Sequence, residues 1–142
     1  MLAGFPLDIH WRPEYNSDMN KMQRASLAEA KFIGVAFAHL WEVAKPFHHA
    51  QGYDFVIRRP GEPWSTVQVK HAYAGRDGRR RPTREVSLRR CNEKGSRPYR
   101  DGEFDWLFVV DGDQCWLIPW LAIREIRSNI TIGSTKYMSF LL

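Results

Sequence analysis

The sequence predicts an α/β (α+β) fold in which a mixed central β-sheet is flanked by helices. Three features predict it. A stretch without Gly or Pro up to Gly34 carries Leu27, Phe32, Ile33, Ala36 and Leu40 at helical spacing. Residues 53–59 and 65–73 are rich in aromatic and β-branched residues on either side of a Pro60-Gly61-Glu62-Pro63 turn. Further on, residues 106–110 and 114–119 form two apolar runs around Asp111-Gly112, as core strands joined by a tight turn do.

Taken in order, Asn16, Ser17 and Asp18 are N-cap types, so one helix is expected over 18–41. The Lys45-Pro46 step disfavours helix, and a short strand is expected over 43–47. The pair of strands at 53–59 and 65–73 follows. Residues 76–84, with Gly78 and Pro82, lack an apolar face and read as a basic loop before a strand at 85–90. A short helix is expected over 120–127. Residues 1–17 read as an N-terminal extension, and 134–142 carry no clear signal. With 142 residues, a single domain is expected.

Composition narrows the functional classes. The chain is 44% apolar and 26% charged, ordinary for a soluble globular protein, and no run approaches the roughly 18 apolar residues of a membrane span. Asp8, His10, Arg12 and Glu14 interrupt any secretory core at the N-terminus. The two cysteines, Cys91 and Cys115, form no CxxC, which suits a reducing cytoplasm and argues against a zinc knuckle or disulfide framework.

Charge is unevenly placed. The chain carries a net +5, yet residues 71–100 hold ten Arg or Lys against three acids, a local +7 that leaves −2 for the rest. A basic segment on a near-neutral body is the footprint of a phosphate-backbone binder, although a solvated loop has the same composition. Arg76, Arg79, Arg80, Arg81, Arg84, Arg89, Arg90, Arg97 and Arg100 are the candidate DNA contacts within the basic loop and strand of 76–100. Alternate residues of 85–90 suit a β-ribbon in a major groove, with Arg89 reading a guanine.

The chemical constellation sits just upstream. On a strand alternate residues share a face, so Gln68 and Lys70 point together while Val67 and Val69 enter the opposite layer. A hairpin turning near Gly61 brings Asp54 to the same end as Lys70. Phosphodiester hydrolysis needs hard oxygen ligands for Mg²⁺ (or Mn²⁺), an activated water and positive charge on the developing phosphorane. Asp54 supplies an anionic oxygen, Gln68 and the Val69 carbonyl neutral ones, and Lys70 the cation; Glu29 on the long helix can add negative charge. Alone, this spacing also fits an ordinary surface strand.

Its context is more specific. Leu27-Ala28-Glu29-Ala30, Trp41-Glu42-Val43-Ala44-Lys45-Pro46, Tyr53-Asp54-Phe55-Val56 and Val67-Gln68-Val69-Lys70 stand in one order. Arg79 to Arg84, Ser96-Arg97-Pro98-Tyr99 and Asp101 to Asp105 before residues 106–110 follow them. Over roughly residues 25–127 the chain resembles the PD-(D/E)XK endonucleases associated with group I introns, of the cyanobacterial homing type, in their Q-x-K variant. The resemblance implies a restriction-endonuclease-like core and a metal site at Glu29, Asp54, Gln68 and Lys70. It also implies cleavage of double-stranded DNA, to a 5′-phosphate and 3′-hydroxyl, by a homodimer or homotetramer. His48-His49 stands where relatives often carry Gly-Asp. A junction resolvase or repair nuclease shares this fold, and a non-catalytic DNA-binding module remains a reading from another class.

Other residues invite weaker assignments. Adjacent His48 and His49, without further Cys or His at ligand spacing, read as loop residues and not as a zinc site. His71 points away from Lys70 and suits packing. Trp64, at the hairpin tip, suits either stacking or covering the core edge, whereas Trp41, Trp106, Trp116 and Trp120 are expected in the core.

Overall fold

The computed structural model describes residues 19–48, 51–75 and 83–142. The N-terminal extension and Arg76, Arg79, Arg80 and Arg81 therefore lie outside the described residues.

Helix α1 spans Lys21–Ala38. Its N-cap is Asn20: the Asn20 side chain accepts the Gln23 backbone N–H at 2.9 Å, and the Gln23 side chain accepts the Asn20 N–H at 2.9 Å. This reciprocal pair sets the start later than residue 18, since it satisfies two donors of the first turn at once. At the other end Leu40 adopts a left-handed φ of 59°, and the Trp41 N–H reaches back to the Ala36 carbonyl at 2.8 Å. The helix thus stops before Trp41 in a Schellman-type turn that no glycine announces. Ala28, Phe32 and Ala36 form its buried stripe.

Three strands follow: β1 (Glu42–Ala44), β2 (Phe55–Arg58) and β3 (Trp64–His71). The short β4 (Tyr73–Ala74), β5 (Arg84–Ser87), β6 (Arg89–Asn92) and β7 (Gly95–Pro98) come next. The chain then forms β8 (Trp106–Asp111), β9 (Gln114–Pro119) and β10 (Asn129–Ile132). The central sheet runs β1-β2-β3-β8-β9, antiparallel except for the parallel β3–β8 pair, so it is mixed as expected.

Each face of this sheet covers a core. On one side Val67, Val69, Phe108 and Val110 meet α1, where the Phe32 ring lies 4.7 Å from Phe55 and 5.0 Å from Phe108, centre to centre. On the other, Leu107, Val109, Trp116 and Ile118 pack under Val86, Leu88, Tyr99, Ile130 and Ile132. That second cover is β-structure: a sheet β10-β5-β4 and a ribbon β6–β7. Among the described residues, α1 is the single α-helix and it lies on one face.

Besides the bounds of α1, four sequence expectations are corrected. The strand at 43–47 is Glu42–Ala44. The strand at 85–90 breaks at Leu88, whose side chain is buried at 1% exposure, into β5 and β6 of different sheets. The helix at 120–127 shrinks to a 3-10 turn at Trp120–Ala122. Its apolar anchors recur every third residue, with Trp120 and Ile123 buried and Ile126 packed beside them, and successive i→i+3 bonds fix that spacing. Lastly, Trp106 is half-buried beneath the Arg59 guanidinium, 4.3 Å from its ring centre, while Trp41, Trp116 and Trp120 are buried. Strand β10 and the 3-10 segment Thr135–Phe140 complete the C-terminal region, where the sequence carries little signal.

Candidate active site

The β2–β3 pairing builds the site. Phe55 pairs with Val67, and the Asp54 N–H extends that ladder to the Val67 carbonyl at 2.8 Å. Where β2 has no further backbone to offer, the Asp54 side chain takes over, and its Oδ2 accepts the Val69 N–H at 2.8 Å. Asp54 is thereby pinned beside Gln68, whose Nε2 donates to the same oxygen at 2.7 Å. Burial pushes the Asp54 carboxyl above its usual range, a shift opposed by the Val69 N–H and reinforced by the charge of Glu29.

Lys70 is on the same face of β3, two residues on. Its Nζ donates to the Arg89 carbonyl at 3.1 Å and lies 5.3 Å from the centre of the Tyr99 ring. Burial lowers its pKa, and the Asp54 charge opposes that lowering. A cation held in low dielectric beside an acid is a common feature of reactive sites.

Glu29 reaches the site from α1. Together with Asp54, Lys45, His48, Gln51 and Tyr53 it lines a cleft of about 120 Å³. Its Oε2 accepts from Lys45 Nζ at 2.5 Å. The sequence reads His48 as a loop residue, yet it is a wall of this cleft; His49 lies outside the described residues. The sequence assigns Lys45 and Gln51 no role of their own, because the chain's path between β1 and β2 is what brings them to Asp54, whereas Tyr53 is its neighbour in the sequence. His71 is half-buried, and burial followed by the neighbouring cations Arg24, Lys70, Lys21 and Arg84 lowers its pKa. Trp64 is exposed at the hairpin tip, with the Arg58 guanidinium 5.2 Å from its ring.

The donor set suits a hard cation. Asp54 Oδ2 and the Val69 carbonyl oxygen both accept from one nitrogen, Gln68 Nε2, at 2.7 and 3.2 Å. Two oxygens thus converge on one electropositive group, and half a turn of the amide replaces its NH₂ by oxygen. Both hydrogen bonds to the Asp54 carboxylate fall on Oδ2, leaving Oδ1 without one among the described residues. No cluster of three or more His, Cys, Asp or Glu occurs among those residues. A cation here would meet the carboxylates of Asp54 and Glu29, the Gln68 amide and the Val69 main-chain carbonyl.

The basic residues divide. Arg84 is bound to Asp111 Oδ1 through Nη2 at 2.7 Å and Nε at 3.0 Å. Arg89 folds across its ribbon onto the Ser96 hydroxyl and carbonyl, at 2.8 and 2.7 Å. Arg90 and Arg97 both bind Glu103 Oε1, at 2.7 and 2.6 Å. These four cations serve internal contacts, which a count of charges along the sequence does not distinguish from phosphate contacts. Arg100 is exposed, and its backbone N–H donates to Glu103.

Comparisons with known proteins bear on the fold and the family. Among solved structures, a bacterial homing endonuclease, I-Ssp6803I, matches with a TM-score of 0.67 and 23% identity, over 82% of this chain and 80% of that one. MepB matches with a TM-score of 0.43 and 13% identity, over 79% and 95%. No curated protein matches the sequence. The first of these shows a shared fold. A family model described as PD-(D/E)XK endonuclease matches residues 19–137, from the helix cap through the last strand. Those residues contain α1, the hairpin of Asp54, Gln68 and Lys70 and the parallel β8, and the chain belongs to the PD-(D/E)XK endonuclease family.

Proposed function

We propose that this protein is a Mg²⁺- or Mn²⁺-dependent endonuclease that hydrolyses phosphodiester bonds of double-stranded DNA at specific sites, in the manner of a homing enzyme. The observation that carries this reading is the joint fixing of Asp54, Gln68 and Val69 by shared hydrogen bonds, with the Lys70 ammonium on the same face of β3.

Asp54, Glu29, the Gln68 amide oxygen and the Val69 carbonyl would hold the cation, which when bound supplies Lewis acidity and eases deprotonation of water. The remaining roles belong to the chain's own side chains. Lys70 spends one N–H on the Arg89 carbonyl and retains two, enough to orient a water and to face a non-bridging phosphate oxygen as its charge grows. Tyr99, buried beneath that ammonium, excludes water from one side of it. Lys45 holds the Glu29 carboxylate in place. Arg76, Arg79, Arg80 and Arg81 supply phosphate contacts, and two copies of the chain, as a homodimer or within a homotetramer, cut the two strands.

Incubating supercoiled plasmid or genomic DNA with the purified protein tests the reading. Cutting with Mg²⁺ that stops in EDTA and in Asp54→Ala supports it. Binding without cutting at any divalent ion concentration refutes the catalytic assignment.

A further inference from the structure

Away from the cleft, a second groove of about 280 Å³ is lined by Tyr99, Arg100, Asp101, Arg124, Glu125 and Arg127, among others. Its cations differ from those of the ribbon. Arg100, Arg124 and Arg127 are all exposed, and the side chains of Arg100 and Arg127 make no ion pair or hydrogen bond among the described residues. Among the described residues the Arg124 side chain pairs with its neighbour Glu125 alone, at 3.2 Å, in a surface pair whose acid is 87% exposed. Such a pair contributes little and exchanges readily for a stronger anion. The other acid, Asp101, is occupied through Oδ1 by the Trp120 indole N–H at 2.7 Å.

The groove also adjoins the reactive lysine. Tyr99 is a wall of it and carries Lys70 Nζ over its ring at 5.3 Å. Lys70 donates to the Arg89 carbonyl at 3.1 Å, and Arg89 Nη1 in turn donates to the Arg127 carbonyl at 3.4 Å. Two short links therefore join the active-site ammonium to the rim of an arginine-lined groove.

We propose that Arg100, Arg124 and Arg127 bind backbone phosphates of the DNA duplex next to the phosphodiester that is cut, and so set the strand's path across Lys70. This rests on the nuclease reading above. The ligand is the phosphodiester backbone, and sequence plays no part in its recognition. Arg124 and Arg127 fall outside the basic run of residues 71–100, so charge along the sequence gives no hint of them.

Because such binding is indifferent to sequence, any labelled duplex serves as probe. Anisotropy titrations in the Asp54→Asn background, which removes cutting, are run over a series of KCl concentrations. The Arg124→Gln, Arg127→Gln double variant should bind several-fold more weakly, and the slope of log K against log salt should fall by about 1 for each phosphate no longer neutralised. All three residues are exposed, so the melting temperature should hold and certify folding. An unchanged slope and affinity overturns the groove assignment and leaves the nuclease reading standing. If the parent binds no duplex at low salt, both fall together.

Discussion

The Gln68 side-chain nitrogen donates at once to Asp54 Oδ2 at 2.7 Å and to the Val69 carbonyl at 3.2 Å. This amide bridges two oxygens that a cation would share. In metal-free protein its NH₂ offsets the electrostatic cost of two oxygens held close together. Rotated, it offers a neutral oxygen to a cation.

Gln68→Glu should therefore make the protein's stability more sensitive to divalent metal. Without metal the substitution removes the donor and sets like charges side by side, so the pair retains a proton to higher pH and stability falls, by roughly 1–3 kcal/mol. With Mg²⁺ the added charge strengthens binding. Melting curves in EDTA and in Mg²⁺ read both effects. An EDTA melting temperature equal to that of the parent would show that the amide is not holding Asp54.

Asp54→Asn should separate stability from activity. Burial raises the folded pKa of Asp54, so the native state binds more protons than the unfolded chain between the ordinary value of 3.8 and the raised one. Stability contributed by this group falls as pH rises through that window, and at neutral pH the buried charge is a net cost. Asparagine keeps an oxygen for the Val69 N–H without the charge. In EDTA at pH 7 the variant should melt higher than the parent, with the gain vanishing towards pH 3, while cleavage is lost.

How much of this is legible in the sequence follows from the range of each signal. Alternation along residues 65–70 and the turn at Gly61 are local, and they place Asp54, Gln68 and Lys70 together. The β8–β9 hairpin is equally readable: Gly112 takes a φ of 58° in the two-residue loop between Asp111 and Gln114. Long-range burial is not readable. Leu88 interrupts one strand because it fills the core beneath Ile130 and Ile132, which come some 40 residues later. The fates of Arg84, Arg90 and Arg97 are hidden likewise, since Asp111 and Glu103 become their partners only after folding.

Lys70→Met should also trade function against stability. Burial lowers the Lys70 pKa, so between that lowered value and the ordinary value of 10.5 the unfolded chain holds more protons, and stability rises with pH across the window. Below it the buried ammonium is a standing cost that methionine lacks. In EDTA the variant should be the more stable protein at pH 7, with the margin narrowing as pH rises through that window towards 10.5. Cleavage should drop by about 100- to 1,000-fold, the usual effect of deleting one group that stabilises transition-state charge, and DNA binding should persist. Wild-type turnover in this variant would remove Lys70 from the mechanism.

Glu103 presents the clearest electrostatic case. Arg90 on β6 and Arg97 on β7 are register partners, so two like charges face each other across the ribbon. Glu103 Oε1 accepts from both, and the Arg100 N–H donates to Oε2 at 2.7 Å. The Arg97 bond foremost, with those of Arg90 and the Arg100 N–H, holds its carboxyl down at about 2 against the pull of burial. Its pKa being depressed, the stability it contributes is complete above the ordinary value of 4.5 and is lost as pH falls through about 2. Glu103→Gln should cost about 2 kcal/mol at pH 7, the scale of hydrogen bonds to charged groups, and progressively less as the pH approaches 2. Amide exchange should quicken first in residues 89–98, where the two arginines now repel each other. Denaturation curves at pH 7 and pH 3 that show the same difference between variant and parent would mean that the ribbon is held by its backbone ladder and not by this clamp.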